Sequence, residues 1–225
     1  MDQTPSRSLR SLRGRWSSLS LGGMAIEVPR VETASVRQQV MIEVVWPKAS
    51  VIREVVLVLG GSLLIALAAQ IQVLLPISPV PITGQTFAVL LLGALYGSKR
   101  GPATILAYLT FGGLGFPAFA GGTSGAARLV GPTAGYLLGF LAAASVVGAL
   151  AERGWDRRAW TTGASMVIGN LIIYTVGITW LSRFVGWESV LAAGVIPFLA
   201  GDAFKIALAM LLLPAGWRVL GRSKP

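Results

Sequence analysis

Cysteine and histidine are both absent from this 225-residue chain. Their absence removes disulfides, thiol nucleophiles, histidine acid–base catalysis and the ordinary zinc and haem sites. Acids are scarce as well, with nine Asp and Glu against nineteen Lys and Arg, and charged residues of both signs make up only 12%. No GxxxxGK[ST] phosphate loop is present, so any energy for moving a solute uphill must come from an ion gradient or a partner. Without His, Cys or clustered carboxylates an intramembrane enzyme, for example a lipid-modifying one, is disfavoured. The expectation is a chain that performs no covalent chemistry and needs no cofactor or metal.

What is abundant is apolar. Hydrophobic residues make up 54% of the chain, and a mean hydropathy of +0.70 lies far outside the range of soluble domains. This is the composition of an integral membrane protein whose surroundings are a lipid bilayer. The formal net charge of +10 sits in short basic clusters between apolar runs, not on one continuous stripe. That pattern fits membrane orientation better than nucleic-acid binding.

Residues 1–50 differ from the rest. RSLRSLRGRWSSLSLGG is rich in Arg and Ser and the segment lacks a long apolar run. It reads as a mostly disordered, basic cytosolic extension, followed by a membrane domain over 51–225. An organelle transit peptide is a second reading, which Asp2, Glu27, Glu32 and Glu43 weaken. A start further along is a third, since Met24 and Met41 both precede the membrane region.

Beyond Val55 the apolar runs are punctuated by Gly, Pro or charge, and a crossing needs roughly 20 residues. The expectation is an all-α membrane protein with six helices, near Val55–Leu75, Gln85–Tyr96, Ala103–Phe111, Thr133–Leu150, Thr161–Leu181 and Leu191–Leu213. With the Arg-rich start inside, the clusters Lys99-Arg100, Arg153 with Arg157 and Arg158, and the closing WRVLGRSKP all fall on that same side. Both ends are then cytoplasmic, in a multi-pass protein of the plasma membrane. The opposite connections carry little charge, and residues 112–132 are dense in Gly and too apolar for an ordinary solvent loop. They form either a lid over a cavity on the outer side or a merely flexible loop.

Ionisable groups within such helices cost about 2.5–3.5 kcal/mol each at the bilayer centre and should face a cavity or a partner. Asp202 and Lys205 in GDAFK are the only charges of the last helix. Spaced i and i+3, they project to one face. They form either a self-satisfied ion pair or a site for a small ligand carrying both a donor-rich group and a carboxylate. Arg128, the lone charge of the 112–132 stretch, either holds a ligand carboxylate or reaches to the headgroups. Asn170 and Tyr174, spaced i and i+4, are pocket residues, or an interhelical hydrogen bonder and an interfacial aromatic. Gln85 is a pocket residue or a helix-end hydrogen bonder. Small residues spaced by four, Ser62-xxx-Ala66 and Ala103-xxx-Ala107, permit close helix approach.

Taken in order, ISPVPITGQTFAVLLLGALYGSKRG, LGFPAFAGG, GPTAGYLLGF and GDAFK resemble the BioY family, the biotin-specific S components of energy-coupling-factor vitamin transporters. The resemblance runs from about Val55 to Leu213. It implies a six-helix S-component fold whose outer loops close over one biotin, with Asp202 and Lys205 at the family's binding positions. It implies less directly that Arg128 and Asn170 also contribute. The implied partners are a membrane T component and a pair of cytosolic ATPases. S components carry an Ala-xxx-Ala patch on the first helix for docking the T component, and the nearest match here is Ser62-xxx-Ala66. The other function in view is a self-sufficient secondary carrier of biotin or a related small carboxylate, driven by protons through Asp202.

Overall fold

The computed structural model describes residues 16–21, 24–29 and 38–222. The chain forms two compact units, Met1–Val36 and Arg37–Pro225. In the first, strands β1 (Trp16–Leu21) and β2 (Met24–Pro29) pair antiparallel, with Trp16 opposite Pro29 and Leu21 opposite Met24. The expectation of disorder over 1–50 falls partly outside the described residues, as does the Arg- and Ser-rich start on which the transit-peptide reading rests. Within that stretch the described residues form this hairpin and, in the second unit, helix α1 (Met41–Val45). Val40, just before α1, is fully buried in the core of that unit.

Helix α2 (Val51–Gln70) starts where Ser50 caps it, its hydroxyl accepting from the Arg53 N–H at 3.1 Å. The chain does not continue as helix to Leu75. It turns into an antiparallel hairpin of β3 (Gln72–Leu75) and β4 (Ser78–Thr83), so the unit is not purely α. Pro76, Pro79 and Pro81 argue against a strand in sequence, yet a two-stranded hairpin has one unpaired edge on each strand where a missing N–H costs nothing.

Helix α3 (Gln85–Gly113) is two arms, 85–96 and 98–113, separated by Gly97 at φ 85°. That left-handed backbone suits glycine, and a Cβ there would also meet the Glu152 carboxylate at 2.7 Å. The arms run back against each other. A Cβ on Gly101 would lie 3.1 Å from the Gly93 Cα, and the Gln85 Nε2 donates to the Tyr108 hydroxyl at 2.5 Å. In one straight helix residues 85 and 108 would sit about 34 Å apart. The expected short helices 85–96 and 103–111 are therefore these arms, the second starting earlier and ending later than its apolar run. The second arm is capped by Glu152, whose Oε1 accepts from the Ser98 N–H and hydroxyl, both at 2.9 Å.

Helices α4 (Ala134–Ala151) and α5 (Ala159–Val185) follow. α4 packs against both α3 and α5, and its small face of Ala143, Ala144, Val147 and Ala151 is buried. The last apolar run is broken into α6 (Val190–Gly194), a single 3-10 turn Ile196–Phe198 and α7 (Leu199–Arg222). Among the described residues four stretches are long and apolar enough to cross a membrane: Val51–Gln70, Ala134–Ala151, Ala159–Val185 and Val190–Gly221. Their outward faces are apolar, as Val51, Val55, Leu59, Leu63 and Leu67 of α2 demonstrate, and such a stripe belongs in lipid.

Ser62 faces inward. Its hydroxyl donates to Val58 O at 2.7 Å and to Thr104 O at 2.8 Å, and it is buried against the second arm of α3. The small-residue pair Ser62-xxx-Ala66 thus serves a helix contact inside the unit, with Ala66 packed at the edge of the core.

Candidate functional site

One end of the second unit holds a cavity of about 310 Å³, at the lower edge of the range for small-molecule sites of about 300–1,000 Å³. Its roof comes from the β3–β4 hairpin and from the Leu114–Pro132 connection. Its walls come from α3, α4, α5, the 3-10 turn and the start of α7. Phe119, Tyr136, Phe140, Ile173 and Phe198 supply apolar surface. All six residues singled out in the sequence, Gln85, Arg128, Asn170, Tyr174, Asp202 and Lys205, line this cavity.

The break before α7 explains how an acid is tolerated here. Because α7 starts at Leu199, Asp202 lies in its first turn, where the free N–H groups and the positive end of the helix dipole favour a carboxylate. Asp202 is 5% exposed and both oxygens are occupied. Oδ1 accepts from Lys205 Nζ at 3.0 Å, and Oδ2 accepts a short hydrogen bond from the Tyr174 hydroxyl. Lys205 Nζ also donates to Thr86 Oγ1 at 2.8 Å. Asp202 and Lys205 therefore form the expected i, i+3 pair, held from two other helices while it faces the cavity.

The remaining four differ in how far the protein has already used them. The Gln85 side chain is committed, accepting from Thr83 Oγ1 at 3.0 Å and donating to Tyr108. Tyr174 is committed to Asp202. Asn170 is buried at 7% exposure and lines the cavity, and its amide makes no hydrogen bond to another described residue. Arg128 lies in a 3-10 turn Ala126–Leu129 of the roof, exposed, with no acidic partner among the described residues. An unpartnered amide and an unpartnered guanidinium around an apolar cavity are the features of a site for a small molecule with polar groups at its ends.

Sequence reasoning missed Thr86, Thr83 and Tyr136. The Tyr136 hydroxyl donates to Gly194 O at 2.8 Å and ties α4 to α6. Thr83 and Thr86 flank Gln85 in PITGQTF, and a hydroxyl two residues before a helix start is a recognisable signal. Nothing local marks Thr86 as the partner of a lysine 119 positions away.

Apolar spans with a cavity walled by broken helices define a multi-pass membrane protein built to hold a small solute. Comparison with known proteins makes the assignment specific. The profile of the BioY family matches residues 37–222, and the chain belongs to that family. It is 40% identical over 160 residues to the probable biotin transporter BioY of Pyrococcus horikoshii, covering 71% of this chain and 93% of that protein. It is 39% identical to the biotin transporter BioY of Thermotoga maritima, over 66% and 86% of the two chains. In structure it resembles a crystallised S-component for biotin from an ECF-type ABC transporter, with a TM-score of 0.66 over 74% of this chain and 92% of the other, at 22% identity. At that identity the likeness speaks for the fold.

Proposed function

We propose that this chain is a biotin-binding membrane component that captures the vitamin from outside the plasma membrane. Delivery inward would be driven by a membrane T component and cytosolic ATPases. The observation that carries this reading is the convergence of the Asp202–Lys205 pair with the unpartnered Asn170 and Arg128 on one apolar cavity, in a chain of the BioY family.

Biotin has a ureido ring, an apolar thioether ring and an apolar tail ending in a carboxylate. In this reading the ureido group meets Asn170 and the Asp202 oxygens, the aromatic walls take the apolar parts, and the carboxylate goes to Arg128. The choice of cation rests on donor capacity. Lys205 already donates to Asp202 and Thr86, whereas the Arg128 fork has no acidic partner among the described residues and suits a carboxylate bidentately. Gln85 and Tyr174 then act mainly by holding other residues.

Topologically the reading takes the two arms of α3 as separate crossings, making six with α2, α4, α5 and α7. The ends of the unit support it. Gln38 N–H donates to Glu152 O at 2.8 Å and Trp217 Nε1 to Asp156 Oδ2 at 2.6 Å, so both ends gather at the α4–α5 connection, opposite the cavity. With Lys99, Arg100, Arg153, Arg157 and Arg158 at that end, it is assigned to the cytoplasm. The Leu114–Pro132 connection becomes the outer lid.

The experiment is equilibrium binding of labelled biotin to the detergent-purified full chain, with other vitamins as competitors. Saturable binding that only biotin displaces is expected, and its absence would sink the proposal. Uptake in membranes lacking any coupling ATPase separates the energy sources: this reading expects little, whereas a proton-driven carrier would continue until an uncoupler is added.

A further inference from the structure

The strongest unassigned feature lies outside the cavity, where the end of α2 meets the Leu114–Pro132 connection. Gln70, the last residue of α2, reaches across to this connection with both ends of its amide. Its Nε2 donates to Phe119 O at 3.2 Å, and its Oε1 accepts from the Gly122 N–H at 2.8 Å. The same Nε2 donates to Ala66 O in its own helix at 2.9 Å, which fixes the side chain against a carbonyl near the helix end. Two residues on, the Gln72 side chain lies directly under Gly121.

The segment held this way is a tight turn. Gly121 and Gly122 have φ of 70° and 68°, and the turn is closed by Phe119 N–H to Thr123 O at 3.0 Å. Phe119, at its base, is 3% exposed, lines the cavity and meets Tyr108 edge to face with ring centres 5.6 Å apart. Gln70 itself does not line the cavity. At the far end of the same connection, Trp180 Nε1 of α5 donates to Gly131 O at 2.9 Å. The connection is thus pinned to α2 at one point and to α5 at another, with Arg128 between them.

We infer that Gln70 is a positioning residue for biotin release: its two hydrogen bonds hold the Phe119–Gly122 turn shut over the cavity and set the rate at which bound ligand escapes. The inference rests on the proposed function, in which this connection is the lid. A latch of this kind acts on opening. The same hydrogen bonds are present in the unliganded protein, so ligand entering and ligand leaving both wait for the latch to open.

The test is the dissociation rate of labelled biotin from the purified full chain, wild type against Gln70→Leu. Loss of both hydrogen bonds is expected to speed dissociation about tenfold, with association sped in the same direction, so that affinity stays within about threefold of wild type. Gln70→Glu keeps the acceptor for the Gly122 N–H and loses the donor to Phe119 O, and it should fall between the two. Should Gln70→Leu fail to fold, the Glu variant decides by the same measurement. Amide hydrogen exchange at 119–123 in the unliganded protein is the second readout, expected to be faster in Gln70→Leu while α4 is unchanged. Equal dissociation rates with unchanged exchange would overturn the latch. If wild-type protein binds no biotin, the functional proposal has failed and the exchange measurement alone judges the latch.

Discussion

The two ends of the membrane unit differ in where their open polar groups lie: at one end Asn170 and Arg128 face a cavity, and at the other the unsatisfied atoms are enclosed by protein. At the end away from the cavity, Arg100, Arg53 and Glu152 are engaged by the protein, although Arg53 Nε, Asp156 Oδ1 and Gln38 Oε1 are buried there without a hydrogen bond among the described residues. Arg100 bridges Glu43 at 2.9 Å and Glu54 at 2.7 Å, the nearly buried Arg53 donates to Ile42 O and to Glu54, and Glu152 caps the second arm of α3. At the cavity end, a core of matched groups around Asp202 sits beside two that have no side-chain partner among the described residues, Asn170 and Arg128. A matched charge stabilises the fold, and an unmatched polar group beside an apolar cavity is capacity kept for something else. Under the proposed function, Asn170 and Arg128 are the residues that this contrast assigns to the ligand.

The sharpest way to break this comparison is Asp202→Asn. It removes the ion pair and leaves Lys205 partly stranded, so biotin affinity should fall roughly a hundredfold, about 3 kcal/mol, as read by equilibrium binding. Unchanged affinity would place the site elsewhere. Next comes Arg128→Ala, for which about a tenfold loss in biotin affinity is expected with no loss of thermal stability, because the side chain has no acidic partner among the described residues to strand. Against biotin amide, whose end is neutral, the same variant should lose much less. Equal losses for both ligands would show that Arg128 does not read the carboxylate.

Arg100→Ala at the other end should give the converse. Glu43 and Glu54 lose a shared partner, and stability falls by about 1–2 kcal/mol, a value discounted because Arg100 and Glu54 are 21% and 38% exposed. Biotin affinity should not change. A melt of the purified protein alongside a binding isotherm checks both halves.

The smallest expected effect is a pH dependence at Asp156. Burial raises its pKa above the ordinary carboxylate value, opposed by the hydrogen bond from Trp217 and by Arg157. A carboxyl raised in the folded chain binds its proton more tightly there than when unfolded. The cost of holding it ionised is present above the raised value and is relieved as pH falls through it towards the ordinary one. Asp156→Asn keeps an oxygen for Trp217 and should flatten that part of the stability–pH curve, measured by melts between pH 4 and neutrality.

Much of this was legible in the residues. The GDAFK spacing put acid and base on one helix face because three residues make nearly one turn, a purely local fact. The short apolar runs at 85–96 and 103–111 flagged the α3 arms, although the reversal point, Gly97, could only be placed between them. The β3–β4 hairpin was not legible. Its prolines speak against a strand, and only the pairing of Gln72 with Thr83 across the turn makes it one.

The sequence by itself determined the solvent, the chemistry that is excluded, and which few polar residues had to face something other than lipid. Those follow from composition and from spacing along a single helix. Only the tertiary structure decided which of those residues are already spent. Asp202 meets Tyr174 from 28 residues away and Lys205 meets Thr86 from 119 away, while Gln70 grips a turn about fifty residues further along the chain. Hydrogen bonds saturate their donors and acceptors, and the partners that saturate them here are brought together by packing, not by order along the chain.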